Sequence, residues 1–300
     1  MRHKFPIRRA QLSALALAFT LGSALSWALM RVPGRLWAYM TMAPSNDPNG
    51  TAYTVAVEAK PLLGIDRNVS GLTYSHSSQT LFAVTNKPKR VIEITPDGRV
   101  LRSLPVAFGA DLEGISHIKD DLFVLVSETG NEIWGARLNK ATTTVLPTPG
   151  ETLSVSFNQR VNEGIEGLSW DHHGQRLFVA NEKNPLTILE IKGVDKLILG
   201  ERANVSISIW NPVYSLANIA GDVSSISFNE SRDSMTMLSH ESRRVYRFDH
   251  QGIPRLILQL EKGRHGLRQS VSQPEGLAFG PDGSMYVVAE PNLFFRFVPN

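Results

Sequence analysis

The chain contains no cysteine, so no disulfide framework holds it together, and at 300 residues it is long enough to bury a core without one. Short catalytic signatures are missing too. There is no G-x-S-x-G elbow, no H-E-x-x-H, no Walker loop and no G-x-G-x-x-G. His240-Glu241 opens like a zincin motif, but Ser242 and Arg243 follow and end the likeness. No EF-hand loop is present either. Acidic residues are absent from residues 1–40, which carry Arg2, Lys4, Arg8, Arg9, Arg31 and Arg35. Without those six the chain has 25 basic against 28 acidic residues, so the overall net charge of +3 belongs to the N-terminus. The remainder lacks the clustered surplus of Lys and Arg that phosphate contacts require, which excludes nucleic acid as a partner.

One long charge-free run is present, Leu12 to Met30, ending at Arg31. Nineteen residues in a helix rise far enough to cross a hydrocarbon core of roughly 30 Å. Basic residues ahead of the run favour an N-terminus left in the cytoplasm. We read residues 1–40 as a signal-anchor, because the run exceeds the length of an ordinary signal-peptide core. The alternative is cleavage near Ala24-Leu25-Ser26 or Ser26-Trp27-Ala28, which would release a soluble periplasmic protein. Residues 41–52 are polar and turn-rich and read as a tether. The expected location is therefore the inner membrane, spanned once, with residues 53–300 in the periplasm.

Within residues 53–300 one pattern occurs five times. Its openings are Val69-Ser-Gly-Leu72, Leu112-Glu-Gly-Ile115, Ile165-Glu-Gly-Leu168, Val223-Ser-Ser-Ile226 and Pro274-Glu-Gly-Leu277. After each opening come a short strand, a turn and a second apolar strand with a polar end: LFAVTN (81–86), FVLVSE (123–128), LFVANE (177–182), TMLSHE (236–241) and MYVVAE (285–290). Third strands follow, such as VIEIT (91–95) and RVYRF (244–248). Val, Ile, Phe and Tyr between turn signals such as Pro96-Asp97-Gly98 argue strand rather than helix. Fourth strands are expected at 99–106, 151–158, 204–209 and 254–260. The fifth unit ends at Asn300 without one, and Tyr53–Leu62 is left over at the other end to supply it. Five four-stranded units set radially make an all-β fold, a five-bladed β-propeller closed by its N-terminal strand. A sixth blade hidden in 140–163 or 192–222 is the alternative.

In an antiparallel blade the start of the first strand and the end of the second share one edge. The repeat therefore gathers Ser70, Glu113, Glu166, Ser224 and Glu275, together with Asn86, Glu128, Glu182, Glu241 and Glu290, on one face. Crowded carboxylates raise one another's pKa or attract a cation, and oxygen ligands suit Ca²⁺ or Mg²⁺. First strands line a propeller's channel, so Glu113, Glu166 and Glu275 are the first candidates for a metal. Asn86, Glu128, Glu182, Glu241 and Glu290, one strand outward, are weaker ones. The bland reading is that each Glu accepts backbone N–H bonds and holds blades in register. His172-His173 reads as a solvated turn, His117 as a packed wall residue, and Trp170 and Trp210 as packing between blades.

The motifs NVSGLTY (68–74), ADLEGIS (110–116), NEGIEGLSW (162–170) and QPEGLAF (273–279) resemble those of the SdiA-regulated family. The resemblance covers Tyr53 to Asn300 and the leader, and implies a membrane-associated β-propeller of unassigned activity. More distantly the blades are similar to NHL repeats and to calcium-dependent lactonase propellers. That likeness implies a channel Ca²⁺ held by a Glu such as Glu113, Glu166 or Glu275, with Asn86, Asn181, Asp111 and Asp222 as further candidate ligands. Phytase-like propellers add basic residues for phosphate, for which Lys87, Lys183, Arg243 and Arg244 are at hand. Two functions remain open. One is a propeller that binds a small ligand or an envelope protein, with a divalent cation at its channel mouth. The other is a Ca²⁺-dependent hydrolase acting on a lactone, ester or phosphoester.

Overall fold

A computed structural model describes residues 52–155, 164–210, 212 and 215–300. The signal-anchor, nearly all of the tether and the end of the second unit's fourth strand lie outside the described residues. Among the described residues no helix is long and apolar enough to cross a membrane.

Twenty strands form five four-stranded antiparallel sheets. Blade I is β2 (Val69–Ser75), β3 (Thr80–Asn86), β4 (Lys89–Ile94) and β5 (Val100–Pro105). Blade II is β6 (Leu112–Lys119), β7 (Leu122–Ser127), β8 (Glu132–Arg137) and β9 (Leu153–Ser154). Blade III is β10 (Ile165–Asp171), β11 (Arg176–Asn181), β12 (Thr187–Lys192) and β13 (Ser206–Trp210). Blade IV is β14 (Ser225–Asn229), β15 (Ser234–Ser239), β16 (Arg244–Phe248) and β17 (Pro254–Gln259). Blade V takes β18 (Pro274–Phe279), β19 (Met285–Ala289) and β20 (Leu293–Pro299) from the end of the chain and β1 (Tyr53–Pro61) from its start. The N-terminal strand thus closes the ring, pairing antiparallel from Tyr53 opposite Pro299 to Pro61 opposite Leu293. Of the two stretches weighed as an alternative sixth blade, 192–222 carries one helical turn, α1 (Val194–Leu197), before β13. Among the described residues blade II has the shortest outer strand. Pro147 and Pro149 lie in its approach, and a residue without an N–H interrupts a ladder; single bridges join Val106 to Val145 and Ala136 to Pro147 instead.

Each middle strand is buried on both faces, which is why its sequence is nearly all apolar. In β11, Val179 packs against blade II while Phe178 and Ala180 pack against blade IV. The core is accordingly divided into five clusters, one at each interface between neighbouring blades, including that between blades V and I.

The repeated Gly has a steric cause. A Cβ on Gly71, whose φ is +47°, would lie 2.7 Å from the Glu113 carbonyl oxygen, and one on Gly276 would lie 2.9 Å from the Gly71 carbonyl carbon. Inner strands touch backbone to backbone there. In blade IV Ser225 takes this place, and its hydroxyl accepts the Leu277 N–H at 3.1 Å. A second latch lies two residues along. Thr73, Ser116 and Ser169 accept backbone N–H bonds from His117, Trp170 and Phe228 of the next blade at 3.1, 2.9 and 2.8 Å.

Candidate functional site: two mouths of one channel

At the end where the inner strands begin, the ladder slips at the carboxylate. Ile165 faces Asn181 and Gly167 faces Ala180, so Glu166 is the extra residue of a β-bulge; Glu113 and Glu275 are bulged in the same way. A bulge re-aims a side chain out of the pleat. The three carboxyls consequently share one field. Burial, with Glu113 next in weight, pushes the Glu275 carboxyl up to about 8. Burial pushes Glu113 up to about 7 against hydrogen bonds from Asn86 and Ser70, which favour its charged form. Glu166 is raised well above the ordinary carboxyl range by burial and by Glu113, Glu182 and Glu275.

The next ring outward is built differently from expectation. Leu72, Ile115, Leu168, Ile226 and Leu277 face Ala83, Leu125, Val179, Met237 and Val287. Three residues further on stand Asn86, Glu128, Glu182, His240 and Glu290. The aligned position in blade IV is therefore His240, not Glu241, because the second strand there begins one residue off the pattern read from TMLSHE. His240 does what its position implies: its Nδ1 lies 3.3 Å from Glu275 Oε1, as Asn86 Nδ2 lies 3.0 Å from Glu113 Oε1 in the blade I–II pair. Glu241 is more than half exposed and pairs with Lys183 at 3.1 Å, and Lys183 also holds Glu182 at 2.9 Å. Glu128 is half-buried, its carboxyl raised by burial, Asp111 and Glu182. Glu290 donates its backbone N–H to Gln273.

The remaining candidates separate by role. Asp222 is buried and accepts bonds from Ser239 Oγ and from the His240 and Glu241 N–H groups, so it fixes the turn that carries His240. Asn181 likewise donates to the Lys183 and Pro185 carbonyls. Asp111 pairs with Lys87 at 3.8 Å. Arg243 donates to the Val271 carbonyl and takes no part at the mouth.

The opposite end holds a cavity of about 520 Å³, lined by the last residues of the five inner strands and the turns after them. The position three residues after the repeated Gly, or after Ser225 in blade IV, places Tyr74, His117, Trp170, Phe228 and Phe279 on its wall. His76, His172 and Glu230 stand at its rim. His172 Nδ1 lies 2.5 Å from Glu230 Oε1, which also accepts the His172 backbone N–H at 2.6 Å. His172 is thus an oriented side chain rather than a solvated one. Arg232 is the exposed cation of this rim. Nothing in the repeat pointed here, because the wall position varies from blade to blade; the one sequence signal was His117 where the other units carry a larger aromatic.

Among solved structures the chain is similar to a luciferin-regenerating enzyme, at 13% identity over 81% of this chain and 95% of that one, with a TM-score of 0.50. It is also similar to a protein of unknown function from Bacteroides thetaiotaomicron (14% identity, 80% of this chain, 59% of that one, TM-score 0.48). A chain of a nidogen/laminin complex matches at 11% identity over 75% of this chain and 73% of that one, TM-score 0.47. At such identities the likeness is one of fold. The family model of the SdiA-regulated proteins matches residues 48–298, the whole ring from closing strand to last strand, and the chain belongs to that family.

Proposed function

We propose that the protein is a binding propeller of the cell envelope, which takes a divalent cation of the Ca²⁺ class at the acidic mouth and a small ligand in the cavity at the other. The observation that carries this reading is the bulge repeated in blades II, III and V, which turns Glu113, Glu166 and Glu275 out of their ladders toward the axis. Asn86 Oδ1, beside Glu113, is a buried acceptor without a hydrogen-bond partner. Hard oxygen donors of this kind suit Ca²⁺, which takes six to eight oxygens at about 2.3–2.6 Å. Among the described residues no three side chains already stand in a metal-holding arrangement. Binding therefore requires the carboxyls to lose their protons and close on the ion.

A cation that binds only the folded protein stabilises it by mass action. Saturating Ca²⁺ is expected to raise Tm by several degrees, and Glu166→Gln, which removes one charge at nearly constant shape, to abolish most of that shift. An unchanged shift in the Glu113, Glu166 and Glu275 variants alike would reject the site. Raised carboxyls also suit acid–base work near neutral pH, which favours a second reading, the Ca²⁺-dependent hydrolase. A bound cation would there polarise a substrate oxygen. Chelator-sensitive turnover of lactones, esters or phosphoesters would replace the binding reading with that one.

The anchor reading of residues 1–40 belongs to the same proposal. Full-length protein is expected to fractionate with the inner membrane, its propeller open to protease from the periplasm. Recovery of a shortened soluble species would establish cleavage instead.

A further inference from the structure

We propose that His76, His117 and His172, at the cavity mouth, form a three-nitrogen site for a divalent transition metal such as Zn²⁺, with the remaining coordination position open to the cavity. This inference does not depend on the Ca²⁺ reading, since it concerns the other end of the channel and a different ligand class. Imidazole nitrogens suit Zn²⁺ and its neighbours, not Ca²⁺.

Three observations support it. The rings are clustered: His76 and His117 each lie with their ring centres 6.0 Å from that of His172. Two imidazoles sharing a tetrahedral Zn²⁺, at Zn–N distances of about 2.0–2.1 Å, have ring centres roughly 5 Å apart. In these two pairs the rings stand about an ångström wider than that, so the site closes only if His76, an exposed residue at the start of a turn, moves in.

The hydrogen bonds around two of the rings are those that prepare ligands. A metal-binding His usually gives its other ring N–H to a carboxylate or a backbone carbonyl, which fixes the tautomer. His172 has Glu230 at its Nδ1, leaving Nε2 for a metal. His117 has the Asp120 carbonyl oxygen 3.1 Å from its Nε2, leaving Nδ1. That Nδ1 is buried and has no partner, in a side chain only 4% exposed. An orphaned ring nitrogen in such a place costs stability unless something fills its lone pair.

The third observation is charge. Glu230 supplies the negative charge that a divalent ion needs nearby, and its second oxygen lies 3.7 Å from His173 Nδ1.

The test is titration of the full-length protein with Zn²⁺ by calorimetry, and with Co²⁺ followed by its visible d–d absorption. One ion per chain is expected. His76→Gln and His172→Gln, neither in the core, are each expected to weaken binding at least tenfold. Glu230→Gln, which disturbs a positioning residue rather than a ligand, is expected to weaken it by about 10–100-fold. His250→Gln, an isolated exposed histidine, serves as the control and should change nothing. No stoichiometric Zn²⁺ binding by the wild type would overturn the proposal. So would equal affinity in the wild type and in a His76→Gln/His172→Gln double variant of unchanged Tm.

Discussion

Raising the pH from 6.5 to 9 is expected to lower the Tm of the protein by roughly 6–12 °C in the absence of divalent cations, from a loss of about 3 kcal/mol. The sign follows from the three bulged carboxyls. Unfolded, each releases its proton near 4.5; folded, Glu113 holds it to about 7, Glu275 to about 8, and Glu166 well above the ordinary value. The folded state therefore binds more protons than the unfolded one throughout this window. Stability contributed by raised groups is present below the unfolded pKa and is lost as pH rises through the folded one. Below pH 6.5 the carboxyls go on favouring the folded state down toward their unfolded value near 4.5, while His76 and His117, kept neutral by burial, resist the protonation that the unfolded chain accepts and offset part of that gain. Glu58, Asp97, Asp121 and Asp282 have lowered carboxyls, and their contributions disappear only in more acid solution. Maximum stability should therefore lie below about pH 6, where the three carboxyls are still protonated in the folded state alone. Thermal melts of a Glu166→Gln/Glu275→Gln variant should keep only the smaller slope that Glu113 contributes from 6.5 to 9, whereas a full wild-type slope retained by that variant would place the titrating groups elsewhere.

Deleting residues 53–61 while keeping the leader is expected to abolish the cooperative thermal transition and drive the protein to aggregate. Strand β1 is the outer strand of blade V and also its tie to the rest of the chain. It pairs along β20, buries Tyr53, and exchanges backbone and side-chain bonds with the loop before β18: the Val55 N–H donates to the His265 carbonyl, and Arg268 Nε donates to Glu58 at 2.7 Å. Without it the β20 edge, rich in Phe, would be an unpaired template for other chains. Strand β13 provides the contrast. It is also an outer strand, but Ile207 and Ile209 are about half exposed on it, so its loss should cost far less. A β1 deletion that stayed monomeric and melted within a few degrees of the wild type would mean that the ring does not depend on its closing strand.

Blade number, closure and the acidic mouth were legible because each rests on something that recurs. The Glu-Gly opening recurs where a bulge turns the Glu to the axis and where the next inner strand leaves no room for a Cβ on the Gly. The Ser or Thr two residues later recurs because it latches the following blade, yet in sequence it looks like ordinary strand polarity. Glu241 stood in the sequence reading where the ladder puts His240, because TMLSHE ends in Glu like its counterparts and only the pairing of Met237 with Ile226 shows that the register has moved by one. The cavity was not legible for the opposite reason. Its wall position holds Tyr74, His117, Trp170, Phe228 and Phe279, five residues chosen by what they face rather than by the repeat. Its most oriented group, His172, depends on Glu230, 58 positions away in sequence and brought near only by the packing of blade IV against blade III.

The most direct test of the axial acidic mouth is Ca²⁺ titration by calorimetry at pH 6.5, in buffers of differing ionisation enthalpy, which counts the protons released on binding. A site built from Glu113, Glu166 and Glu275 must shed protons to take the ion. About two to three should be released at pH 6.5, and the number should fall as the pH is raised to 9 and drop in Glu166→Gln. Absence of Ca²⁺ binding, or binding whose heat is the same in every buffer, would contradict it.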